Sequence, residues 1–149
     1  MYFELSITIN RSPADVFAFL RDKDEYPQEE GSAVLVLEKT TPGPPGVGAR
    51  YREVVQMLPL VRGEILSEIT RFEPGEFLAE DFHGAGMVGH LAYQFLAEGG
   101  GTRLIQRETV SWRGLLRVFE PVIRLALARR LRERLAGIKT VLESGWVVN

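Results

Sequence analysis

The stretch RLALARRLRERLAGIKTVLE, Arg124–Glu143, decides how the rest of the chain must fold. Apolar residues at Phe119, Ile123, Leu127, Leu131, Leu135, Ile138 and Leu142 step by three or four positions, which puts them on one stripe of a helix. Helical from Gly114 to Glu143, the segment would reach about 45 Å, whereas strands of eight to ten residues reach only about 30 Å. Pro121 removes one helical hydrogen bond, so the helix starts near it or kinks there. The stripe needs cover along its entire length. Only the concave face of a strongly bent sheet is large enough to supply it, and a straight rod over a bent sheet leaves a gap.

The sequence before the helix supplies such a sheet. YFELSITIN, residues 2–10, alternates, with Phe3, Leu5, Ile7 and Ile9 on one face and Glu4, Ser6 and Thr8 on the other. RSPADVFAFLRD then changes period: Ser12 is suited to cap a helix, Pro13 to its first position, and Asp15 completes the capping spacing. Val16, Phe17 and Leu20 form the apolar face of this short helix, over Ser12–Arg21. The polar DKDEYPQEEG with Pro27 reads as a connection, and SAVLVLEKTT as a second strand. PGPPGVG, Pro42–Gly48, can continue neither helix nor ladder. Five further strands follow, at about 49–57, 61–72, 76–83, 87–96 and 102–111, separated by LPL, EPG, GAG and EGGG. Turns that short join antiparallel neighbours. The order strand, helix, six strands, long helix predicts an α+β fold with its helices segregated to one face.

A chain of 149 residues with no internal repeat is expected to be a single domain, 1–149, burying roughly 70% of its unfolded surface. No cysteine is present, so there is no disulfide framework and no thiolate nucleophile or metal ligand. MYFELSITIN lacks the basic start and apolar block of a secretory signal, and no apolar run is long enough to span a bilayer, so a cytoplasmic location is expected. Charge is unevenly divided. Met1–Trp112 carries 10 basic and 17 acidic residues, and Arg113–Glu143 carries 8 basic and 3 acidic. A basic helix on an acidic sheet largely cancels both fields; the alternative is transient contact of that helix with an anionic membrane. No aromatic residues interleave its arginines, so no nucleic acid partner is expected.

In this order, ITINRSPADVFAFLRDKDEYP resembles the first strand and capped helix of the START-related, pollen-allergen-like helix-grip superfamily (SRPBCC). GVGARYREVV, YQFLAEGGGTRLIQRETV and GLLRVFEPVIRLALARRLRERLAGIKTVLE are similar to later strands and the terminal helix of its polyketide cyclase/dehydrase and lipid-transport branch. The resemblance implies a helix-grip fold, a seven-stranded curved antiparallel sheet wrapped around the last helix with a hydrophobic cavity between. It carries over no catalytic residue, since that branch shares no catalytic motif. It spans binding proteins and enzymes alike.

Strand alternation gives an expected cavity lining. Tyr51, Val55 and Met57 share a face with Glu53, and Val61, Ile65 and Ile69 with Ser67. Pairing His83 with Met87 across GAG puts Phe77, Ala79, Asp81 and His83 on one face with Leu91, Tyr93 and Phe95. Leu104, Val110 and Trp112 bring in Gln106 and Glu108, and Phe119, Ile123 and Leu127 cover them from the helix. A slip of one residue would invert any of these sets. The result is an apolar pocket with a few convergent polar groups, suited to a small hydrophobic molecule such as a lipid, quinone or polyketide-like aromatic. The alternative is a cyclase/aromatase- or dehydratase-like enzyme in which Asp81/His83 or Glu53/Glu108 supply acid–base chemistry. No cofactor is expected. His83 and His90, read as pointing to opposite faces, do not form a metal site. On the reverse face of the same hairpin, Leu78, Phe82, Val88 and Leu96 would form an apolar patch able to carry a homodimer. Gly114–Glu120 and Pro42–Gly48 are expected to form a mobile entrance to the cavity.

Overall fold

A computed structural model describes residues 1–25 and 33–145; the connection expected around Pro27 lies largely outside them. The chain runs β1 (Tyr2–Ile9), α1 (Pro13–Arg21), β2 (Val34–Lys39), β3 (Arg50–Leu58), β4 (Val61–Glu73), β5 (Phe77–Gly84), β6 (Met87–Glu98) and β7 (Gly101–Trp112). A 3₁₀ segment, Gly114–Phe119, then leads into α2, Glu120–Glu143. Pro121 sits in the first turn of α2, where its missing N–H costs no helical bond, so the helix begins there rather than kinking. At α1 the Ser12 hydroxyl accepts the Asp15 amide at 3.2 Å, as the capping spacing requires.

All seven strands join one antiparallel sheet in the order β1-β7-β6-β5-β4-β3-β2. Register shifts at Val34/Val36, Gln56/Leu58 and Ile69/Arg71 bend β2, β3 and β4. Successive turns in such a meander alternate between its two ends. The β3–β4 and β5–β6 turns therefore share one end with the 3₁₀ segment that leaves β7. The β2–β3 loop, containing Pro42–Gly48, lies at the other. Gly114–Glu120 and Pro42–Gly48 are thus at opposite ends and do not form one entrance.

The end holding the β2–β3 loop is closed by packing. Val16, Phe17 and Leu20 of α1 meet Phe95 and Leu104 of the sheet and Leu135, Ile138 and Leu142 of α2, all buried. The Phe17 ring stands edge-on to Phe72 and Phe95, each 5.3 Å away between centroids. Full burial of such a side chain is worth about 2–3 kcal/mol. Here α2 is tied down: Glu143 accepts the Asn10 amide at 2.9 Å, and Arg11 donates to the Leu142 carbonyl at 2.8 Å.

At the opposite end the helix stripe loses its cover. Ile123 and Leu127 are half-buried and Phe119 is 59% exposed. The backbone of α2 runs beside β1, at the edge of the sheet, and stands off from the middle strands. The continuous covered stripe expected from the sequence is therefore real only from Leu131 onward.

Candidate functional site

The concave face is assembled row by row from the strand register. One row runs Tyr51, Ser67, Phe82, Gly89, Val110 across β3–β7, and the next runs Ile69, Glu80, Leu91, Glu108 and Phe3 across β4–β7 and β1. Glu53, Ile65 and Trp112 lie on the row above, and Leu78, Tyr93 and Gln106 on the row below. By these pairings and strand alternation, Tyr51, Glu53, Val55, Ser67, Leu91, Tyr93, Gln106 and Glu108 share one face of the sheet.

On β5 the structure departs from expectation. The β5–β6 turn contains two residues, Ala85 and Gly86, with φ of 52° and 80°, and pairs Gly84 with Met87. Two successive positive φ values mark the hairpin turn whose twist matches the strands. His83 consequently pairs with Val88, not Met87, and the whole strand is turned over. Phe77, Asp81 and His83 face outward, and Leu78, Glu80 and Phe82 face in. Asp81 is occupied outside, where its carboxylate lies 2.6 Å from Nδ1 of His90. Asp81/His83 therefore cannot serve the cavity. The two histidines share the outer face after all, but no group of three His, Asp or Glu among the described residues could hold a metal. The reverse-face patch also shrinks, because Leu78 and Phe82 are buried on the concave side and only Val88 and Leu96 remain outside.

The concave face gathers several buried polar atoms that bond to nothing among the described residues. The hydroxyls of Tyr51, Ser67 and Tyr93, the side-chain carbonyl of Gln106 and the indole N–H of Trp112 are buried with no hydrogen-bond partner among the described residues. All five lie on inward positions of β3, β4, β6 and β7. Leaving a buried donor or acceptor unpaired costs about 1–3 kcal/mol. Glu108 stands between Gln106 and Val110 and accepts from the Gln106 amide at 3.3 Å. Burial raises its carboxyl from the usual value to about 7, with Glu80 and Glu53 adding to the rise and Arg134 and the Gln106 bond opposing it. Burial likewise pushes the Tyr93 phenol up to about 12.

Two cations reach in from the helical side. Lys23, just after α1, bonds Glu80 at 2.8 Å and lies 4.6 Å from the centre of the Tyr51 ring. Arg134 projects from α2. With Leu20, Leu78, Glu80 and Tyr93 these two enclose a space of about 10 Å³, room for a single water molecule. Glu80, Lys23 and Arg134 were missed from sequence, Glu80 because of the β5 register and the cations because helical charges read as solvated. Of the three helix residues expected to cover the site, Leu127 packs against the core, Ile123 is half-buried and Phe119 is mostly exposed.

A curved antiparallel sheet gripping a C-terminal helix, with polar groups buried on its concave face, defines a helix-grip domain. The chain belongs to the polyketide cyclase/dehydrase and lipid transport family, whose sequence profile matches residues 2–143. Solved structures repeat the fold at low identity. A Thermus thermophilus protein, TTHA0849, is 18% identical over 98% of this chain and 100% of its own, with a TM-score of 0.76. Ara h 8.0201 is 18% identical over 97% of this chain and 99% of its own, with a TM-score of 0.70. DynU16, from the dynemicin biosynthetic locus, is 14% identical over 97% of this chain and 48% of its own, with a TM-score of 0.67. No curated protein matches the sequence. Among the described residues no helix is long and apolar enough to cross a membrane.

Proposed function

We propose that this chain binds a small, largely apolar molecule carrying oxygen functions, held between the sheet and α2. The observation that carries this reading is the set of unpartnered polar atoms on the concave face: Tyr51, Ser67, Tyr93, Gln106 and Trp112. Hydroxyl and indole donors predominate, so carbonyl or phenol oxygens on the ligand would satisfy most of them at once. Burial against Phe82, Leu91 and Ile69 contributes affinity at about 25 cal/mol per Å², and the polar row fixes orientation. Because the enclosed space is only about 10 Å³, admission requires displacement of the Lys23 side or of the loosely covered half of α2.

Native mass spectrometry of the purified protein tests the reading. A co-purifying small molecule, released on denaturation and rich in carbonyl or phenol oxygens, is the expected result. Protein that is mass-clean and fails to take up a quinone or an aromatic polyketide such as a tetracyclic anthraquinone sinks it.

A second reading, acid–base catalysis, draws on Glu108. A carboxyl that ionises near neutrality beside Tyr93 and Gln106 can exchange a proton with a bound carbonyl or enol. Glu53/Glu108 is the pair that remains available for it, Asp81/His83 being outside. Turnover of a bound aromatic ketone that disappears in Glu108→Gln, with binding retained, would favour this reading over simple carriage.

A further inference from the structure

The end of the sheet opposite the closed core carries apolar side chains that nothing among the described residues covers. Leu58, Leu60 and Val61 form the tip of the β3–β4 hairpin, and Leu115, Val118 and Phe119 line the 3₁₀ segment; Leu60 is fully exposed and Leu115 is 84% exposed. Contacts place both segments at one end. Gly63, beside the hairpin tip, packs so closely on Ala85 that an added Cβ would lie 2.8 Å from that methyl, and one on Gly86 would lie 2.8 Å from the Leu116 side chain. The β5–β6 turn thus bridges the two apolar segments.

The backbone makes the hairpin tip harder to dismiss. Leu60 has φ of 68°, in the left-handed region that glycine or asparagine adopts at little cost and leucine does not. A strained position gains nothing for the fold by presenting a bare leucine to water.

Charge identifies the occupant. The segments LPLVR, residues 58–62, and RGLLRVF, residues 113–119, contain arginine as their sole charged residue type. Arg62, Arg113 and Arg117 have no ion-pair partner among the described residues, while the nearby Glu120 faces the N-terminal amine at 3.8 Å. We propose that this apolar, arginine-bearing end docks on the headgroup region of an anionic lipid bilayer, the leucines entering the interface and the arginines pairing with phosphates. A two-fold dimer through the same end would bring arginine against arginine, since such an interface is self-complementary. The docking surface is therefore the end formed by two turns and the 3₁₀ segment, not the basic length of α2.

Flotation with vesicles tests it, using phosphatidylcholine alone and phosphatidylcholine mixed with phosphatidylglycerol. Binding to the mixed vesicles, weakened by high salt and absent with phosphatidylcholine alone, is the expected outcome. Leu60→Asp and Val118→Asp should each reduce it by about tenfold or more, and Arg117→Gln should reduce it and flatten its salt dependence. Leu60→Gly guards against misfolding as an explanation, because it relaxes the backbone: this variant should melt no lower than the parent and still bind vesicles less. Failure to float with anionic vesicles, equal binding by Leu60→Asp and Val118→Asp, or a concentration-dependent dimer abolished by those same substitutions would overturn the proposal.

Discussion

Replacing Glu108 by Gln should change how stability depends on pH, because glutamine imitates the neutral acid that the buried site prefers. The Glu108 carboxyl is raised from 4.5 to about 7, chiefly by burial. A folded-state value above the unfolded one means that the protonated form is favoured by folding. Its contribution is complete below about pH 4.5 and is lost as pH rises through 7. Linkage gives a loss of about 2.5 kcal/mol between about pH 5 and pH 8 for a shift of this size. The glutamine keeps the contact with Gln106 and has no proton to lose. Urea unfolding followed by circular dichroism at intervals across that range should show the parent falling by this amount relative to Glu108→Gln, with most of the divergence accumulated by about pH 7. Titrating groups that do not interact with Glu108 cancel in the difference. If the two stability curves run parallel from about pH 5 to pH 8, Glu108 is solvated or paired more fully than its surroundings imply, and the acid–base reading loses its support.

Other substitutions probe separate parts of the argument. Tyr93→Phe removes a buried hydroxyl with no partner, so the ligand-free protein should gain about 1 kcal/mol in urea unfolding while native mass spectrometry shows less retained ligand. Gly84→Ala should lose about 3 kcal/mol or more in the same unfolding assay, since its φ is 133° and a Cβ would lie 2.1 Å from the Glu64 carbonyl oxygen. Ser12→Ala should cost about 1 kcal/mol by thermal unfolding through loss of the α1 cap, and Ser12→Gly only a few tenths.

The architecture was legible because its signals are redundant. Alternation in YFELSITIN, the Ser12–Pro13–Asp15 cap and the short turns each point independently to the same elements, and an error of a residue or two at any boundary leaves the topology intact. The concave face of β3, β4, β6 and β7 was legible for a similar reason, since runs such as Leu104, Gln106, Glu108 and Val110 have apolar anchors at both ends. On β5 the anchors conflict: Phe77 and Ala79 compete with Leu78 and Phe82 for the inward face, so hairpin geometry decides. That geometry rests on Ala85 taking a positive φ, which alanine rarely does and which no pattern in GAG announces. One residue in the turn moved Asp81 and His83 outside and brought Glu80 in. The stripe from Phe119 to Leu142 failed differently. Its periodicity says that the residues share a side of the helix, but not that the sheet extends beneath all of them.

The two halves of α2 explain how a closed interior can still accept a ligand. From Leu131 to Leu142 the helix is bound by buried leucines and by the Asn10–Glu143 and Arg11–Leu142 hydrogen bonds, so this half opens only with the fold. From Glu120 to Leu127 it covers the sheet with half-buried side chains, and Val122 and Leu125 are 69% and 76% exposed. Displacing that half uncovers little apolar surface that is not already in water, and so costs little. A segment opens more readily the less apolar packing its opening disrupts, so amide exchange in residues 120–127 should be much faster than in 131–142. Equal protection of the two halves would mean that the helix moves as one body, and a ligand would then have to enter past Lys23.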